Sequence, residues 1–318
     1  FVTIVVVFIA ATVWEAAPDH GLVIEAFTVP ADMAANGLTG QAVATQVQDR
    51  LAWMQSHTDT IRQASSFRND WGNDIKVQIP DTGVSVGEFY RYLVSWLGHA
   101  THITGEIWRQ NGRISLSVRS GNEQAAVFTA QGQDLNTLIS KAGEHVIAAT
   151  QPYRYAIFLD GQNRTAEEIR VLQALTRDTD PEERAWAYSR LGIYRQSQGD
   201  LRAGLNAQRI AIKLAPDLPH VWGNLAGAEA SVGHDEAEFQ DNLRAWALLK
   251  TKKAQELAAY AVAVQLVADP ALHDMQQGDY QDVIAQMSAL RALPDYSSSR
   301  SSVDIVTSSA FASDHDIE

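Results

Sequence analysis

Residues 185–216 read AWAYSRLGIYRQSQGDLRAGLNAQRIAIKLAP, and this stretch decides the fold. Leu191-Gly192 fall within a first helical segment, Gly199-Asp200 break it, Ala211 lies in a second, and Pro216 closes the unit. Turn glycine accepts φ > 0 and the terminal proline stops the second helix. The pattern recurs downstream from about Pro219, with Trp222, Leu225-Ala226, a turn at Gly233, and Ala245. Upstream it recurs with Tyr155-Ala156, Leu159, a turn at Asn163-Arg164, then Ile169 and Leu172, ending at Pro181. The small residues Ala156, Gly192 and Ala226 are 36 and 34 residues apart, a spacing that predicts stacked helical hairpins. Small side chains let paired helices approach, and large apolar neighbours fill the space around them.

Across about residues 150–293 these positions resemble the tetratricopeptide-repeat (TPR) family. The two central units match the pattern well. The outer two depart from it, with Asn163 in place of the turn glycine and Pro270 inside a fourth hairpin that turns at Gly278-Asp279-Tyr280. The resemblance implies a concave groove lined by the first helix of each hairpin, holding a peptide or a partner segment. By position that face comprises Tyr153, Arg154 and Ile157, then Ser189, Arg190, Ile193 and Gln196, then Asn224, Gly227 and Ser231. Arg154, Arg190 and Asn224 fall at matching places, which suits a carboxylate or acidic segment held by charge-assisted hydrogen bonds; the bland reading is a solvated face.

Before the repeats, residues 21–149 alternate strand and helix signals, an α+β or mixed-sheet domain. Leu22 to Val29 predicts a strand stopped by Pro30, and Val43, Val47, Leu51 and Met54 predict an amphipathic helix. Ser56 to Asp74 reads as a loop, Ile75 to Ile79 as a strand, and Phe89, Leu93, Trp96 and Leu97 as one face of a second helix. Thr101–Arg109 and Arg113–Arg119 flank Gln110-Asn111-Gly112, a strong hairpin signal. Gln124 to Ala130 adds a strand, and Leu135, Leu138, Ile139, Ala142 and Val146 mark a closing helix. This order, with Asn36-Gly-Leu-Thr-Gly40 entering the first helix, resembles small α/β domains that precede TPR arrays in bacterial envelope and signalling proteins, including the N-terminal domain of TolB.

Phe1 to Trp14 carries no charge and spans roughly 21 Å as a helix, short of the roughly 30 Å hydrocarbon core. Residues 1–17 are therefore expected to be a single transmembrane helix cut short at its N-terminus, the rival readings being a signal-peptide core and a buried strand. No Lys or Arg precedes Arg50, whereas Glu15 and Asp19 follow the run, so the flank is expected on the periplasmic side of a bacterial inner membrane. Residues 294–318, rich in Ser and Asp, read as a mobile tail.

The formal charge of −13 argues against nucleic acid, and the absence of cysteine removes thiol catalysis and cysteine metal sites. Gly83-Val-Ser-Val-Gly87 has the form of a nucleophile elbow, but Ser85 and Glu88 fit a capping box better. His99 and His102 lack metal-site spacing, while His220, His234 and His273 stand singly and read as surface residues. Asn163-Arg-Thr165 forms a glycosylation sequon in a repeat turn, and no phosphate-loop motif occurs. The aromatic set Trp53, Trp71, Tyr90, Tyr92 and Trp96 reads mostly as core. No catalytic set, metal or cofactor is expected. The sequence reading is a non-catalytic, membrane-anchored scaffold that docks protein subunits of a larger complex. The rivals are the outer sensory half of a signalling protein and, last, a hydrolase using Ser85.

Overall fold

A computed structural model describes residues 22–63, 67–69, 101–131, 134–259, 261–263, 265, 266, 274 and 278–291. The run Phe1–Trp14, the segment 75–97 with Ser85 and Trp96, Trp71, His99, His273, Pro270 and the tail 294–318 lie outside the described residues. The architecture is α+β. Among the described residues no helix is long and apolar enough to cross a membrane.

By their contacts the described residues form two compact units. One holds those up to Asp59 and those from Phe67 to Gln162; the other holds Thr60–Gln63 and those from Asn163 onward.

In the first unit, β1 (Leu22–Ile24), β2 (Phe67–Asn69), β3 (Thr101–Gln110), β4 (Arg113–Ser120) and β5 (Ala126–Gln131) make a sheet in the order β2-β1-β3-β4-β5. β1 runs parallel to β2 and β3, and β3-β4-β5 is an antiparallel meander. Asn111 (φ 52°) and Gly112 (φ 72°) both occupy the left-handed region that a two-residue hairpin turn requires, which is why Asn-Gly stands there. The polar stretch after Ser56 is not wholly loop, since Phe67–Asn69 pairs with β1.

The first strand is shorter than its apolar run. Phe27 N–H turns away to donate to Gly40 O (3.2 Å), and pairing with β3 resumes only at Thr28. After the short helix α1 (Ala31–Ala35), α2 (Gly40–Ser56) starts at this contact, with the Thr39 hydroxyl accepting from Ala42 N–H (3.1 Å). A Cβ on Gly40 would stand 1.8 Å from Phe27 O, so the last residue of Asn36-Gly-Leu-Thr-Gly40 must be glycine for the helix to enter here.

Helix α3 (Leu135–Thr150) and α4 (Pro152–Gly161) complete the unit. One cluster joins Ile24, Ile103, Ile114 and Leu116 of the sheet to Val47 and Leu51 of α2, Leu138 and Val146 of α3, and Phe158 of α4. The hairpin foreseen from Tyr155 to Leu172 is thus divided. Its first helix, α4, packs on α3 and belongs to the sheet unit, while its second, α5 (Thr165–Leu175), packs on α6 in the other.

The second unit consists mainly of helices paired through tight turns: α6 (Pro181–Ser197) with α7 (Leu201–Leu214), and α8 (Pro219–Ala230) with α9 (Asp235–Leu249). Asp180 caps α6 and Asp200 caps α7 by accepting from Glu182 and Ala203 N–H. Pro181 and Pro219 occupy first helical positions, where no N–H is needed. A 3-10 turn (Lys252–Glu256) follows, and α10 (Tyr280–Arg291) begins just after Gly278.

Candidate interaction face

The close fit of α6 on α7 comes from two glycines. A Cβ on Gly192 would lie 2.7 Å from Gln208 Nε2 and 3.1 Å from Gly204 O, and one on Gly204 would lie 3.0 Å from Gly192 O. With the backbones this near, polar groups between them need partners. Gln208, fully buried, donates to Ser189 O (3.0 Å), and Asn224 of α8 donates to Ser189 Oγ (2.8 Å).

These bonds revise the expected groove. Tyr153, Arg154 and Ser189 are buried and do not present themselves to solvent, because α4 packs into the sheet unit and Ser189 is covered by Gln208 and Asn224. Arg190 Nε donates to the buried Glu168 of α5 at 2.7 Å. Two members of the Arg154–Arg190–Asn224 row, Arg190 and Asn224, are therefore spent on binding the chain to itself. Ile193, Gly227 and Ser231 are exposed, and Ile157 and Gln196 are half-buried. The Ser231 hydroxyl donates to Gly227 O (2.7 Å).

At the N-terminal end of α6 lies a stack that sequence reasoning missed. Trp186 is buried, and the ring of His220 from α8 lies on it at 3.4 Å between centroids and 15° between planes. His220 is not a surface residue: it is 3% exposed, and neither ring nitrogen has a hydrogen-bond partner among the described residues. Burial, and secondarily the charge of Arg62, hold its pKa well below the usual histidine range, so the ring is neutral at pH 7. The Arg62 guanidinium stands 5.3 Å from the Trp186 ring centroid and forms a fork with Glu183 of α6, one arm at 2.9 Å. The signal was present in the period: Trp186 and His220 are 34 residues apart, equivalent places in successive hairpins.

A second polar cluster joins α7, α8 and α9. The buried Glu229 accepts from Arg209 Nη2 (2.9 Å) and pairs with His234 Nδ1 (2.6 Å). Burial pushes its carboxyl up, but the bonds from His234 and Arg209 outweigh that and hold it below its ordinary value. Asp241 is pushed up to about 6 by burial and by the neighbouring Glu229, with Arg209 opposing. His234 is exposed as expected, but it is not solitary.

In the sheet unit His102 Nδ1 pairs with Glu25 at 2.7 Å, a single carboxylate on a half-exposed ring. A shallow cleft of about 460 Å³ at the hairpin end is lined by Gln110, Asn111, Arg113, Ser115 and Thr129. Its serine and threonine hydroxyls bond each other (2.9 Å), and among the described residues Arg113 is its one charged lining group. Among the described residues no group of three or more His, Asp or Glu side chains is placed to hold a metal ion. Of the aromatic set, Trp53 is 39% exposed and stacks on His57, with its edge toward Phe158.

Compared with protein families, with curated proteins and with solved structures, the chain matches none.

Proposed function

We propose that this chain is a non-catalytic interaction protein whose TPR-like hairpins form a docking face for other protein subunits. In this reading it is anchored by the apolar run Phe1–Trp14 in a bacterial inner membrane, with its soluble part in the periplasm, as an accessory subunit of a membrane complex. The observation that carries the reading is the pair of glycine- and alanine-lined hairpins α6/α7 and α8/α9. Gly192 and Ala226, at equivalent places in their first helices, are 34 residues apart, and these helices leave Ile193, Gly227 and Ser231 open. A face built from repeated helices offers area and shape rather than a reactive group, which suits holding a partner.

The test is an affinity capture of the full-length protein from a mild-detergent extract with chemical crosslinking. Recovery of the same partner subunits crosslinked near Ile193 or Ser231 supports the reading. Recovery of this chain alone, under conditions that keep other membrane complexes intact, overturns it.

A further inference from the structure

The four residues Thr60–Gln63 are bound to the helical unit although the described chain on both sides of them belongs to the sheet unit. They lie extended. Ala258 N–H donates to Ile61 O (2.7 Å), and Arg62 forms an isolated antiparallel bridge with Leu257. This is how one edge receives a short peptide, through main-chain bonds that ask nothing of its sequence.

Specificity comes from the side chain between those bonds. Arg62 points its fork at Glu183 and lies over Trp186. The fork discriminates arginine from lysine, since only a planar guanidinium meets both carboxylate oxygens while stacking on an indole. The support behind it is pre-arranged. His220 stacks on the Trp186 ring and, being neutral, does not repel the nearby cation. Lys253 bonds Glu182 (2.8 Å), which leaves Glu183 as the carboxylate turned to Arg62. Trp186 lies two helical turns before the exposed Ile193 on α6, so the Arg62 site is next to the open part of that helix.

We infer that this end of α6 is a recognition site for an arginine carried on an extended peptide, and that Arg62 is its resident occupant, a plug that an arginine-bearing partner segment displaces. The ion pair is suited to exchange: its side chains keep 26% and 21% of their surface in solvent. An arginine of equal reach can make the same fork, so a newcomer restores what the resident gives up. This inference rests on the helical face being an interaction surface.

The experiment uses the full-length protein and a capped peptide spanning residues 58–65. Titration of Arg62→Ala, followed by calorimetry, is expected to bind the peptide about tenfold more tightly than wild type, whose site is filled. Glu183→Gln added to Arg62→Ala, or citrulline in place of the peptide's arginine, is expected to remove that gain. Equal binding to wild type and Arg62→Ala, or indifference to Glu183→Gln, overturns the inference. Should Arg62→Ala fail to fold by circular dichroism, wild type serves: excess peptide must accelerate hydrogen exchange at the Ala258 amide, and unchanged protection overturns the proposal. The two readings fail separately. Partners captured with equal yield by wild type and Glu183→Gln, and no peptide binding, remove this site and leave the scaffold. Peptide binding with no captured partner removes the scaffold alone.

Discussion

The two units bury different things. The sheet unit packs Ile24, Ile103, Ile114, Leu116, Leu138 and Ile147 into one cluster, and among its described residues Arg154 is the one buried charged side chain. The helical unit fills much of its interior with alanine and glycine and encloses Glu168, His220 and Glu229. Large aliphatic side chains gain the most from leaving water, so the first unit is stabilised by area. Close backbones leave little room for such side chains, and the second unit is held instead by fitted helices and paired charges, which depend on pH and on each partner's presence. The described buried carboxylates and the buried histidine are thus all in the helical unit.

The sharpest way to break this contrast is Gly40→Ala. The new Cβ would meet the Phe27 carbonyl, and neither backbone can yield without losing the start of α2, a cost of about 3 kcal/mol. Hydrogen exchange resolved by peptide should show protection lost across β1, β3 and α2 and kept across α6–α9. Loss in both groups together would mean that the units share one stability. Arg190→Ala removes a charge-assisted bond from buried Glu168 and should cost about 2 kcal/mol, read as a lower urea midpoint confined to the helical unit.

A subtler separation comes from acid. His220 has a depressed pKa when folded, so its contribution is fully present above its ordinary 6.5 and declines as pH falls below that value. Between pH 7.5 and 5 the loss is at most about 2 kcal/mol. His220→Phe keeps a ring on Trp186 and should flatten the acid dependence of helical melting; an unchanged slope would acquit this histidine. Smallest is Asp241→Asn. The folded carboxyl holds its proton up to about 6, so its contribution is present below 3.8 and lost as pH rises through 6. Removing the charge should raise the melting temperature at pH 7.5 by a degree or two, a gain below about 1 kcal/mol given its partial exposure. The gain should vanish below pH 4.

How far the sequence could be read follows from the range of each interaction. Asn111-Gly112 announces a hairpin because the turn needs only its own two residues, and α2 shows in Val43, Val47, Leu51 and Met54 because one helix face repeats locally. The α6/α7 and α8/α9 hairpins were legible for the same reason. What escaped depended on distant chain. Phe67–Asn69 is a strand because β1 lies beside it, and nothing in Phe-Arg-Asn says so. Leu22–Ile24 ends early because Phe27 is claimed by Gly40. The expected groove included residues such as Ser189 and Arg190, whose partners come from neighbouring helices. His220 read as surface because its burial requires Trp186 from the preceding hairpin.

The interleaving of Thr60–Gln63 with the helices also sets an order of events at the ribosome. Arg62 is made 121 residues before Glu183, a wait of roughly 6 to 24 seconds at typical elongation rates. By the end of that interval all the described sheet-unit residues, up to Gln162, have been made. The main-chain partners of this segment, Leu257 and Ala258, are made later still, so Thr60–Gln63 is fully seated only after both helical hairpins have been synthesised.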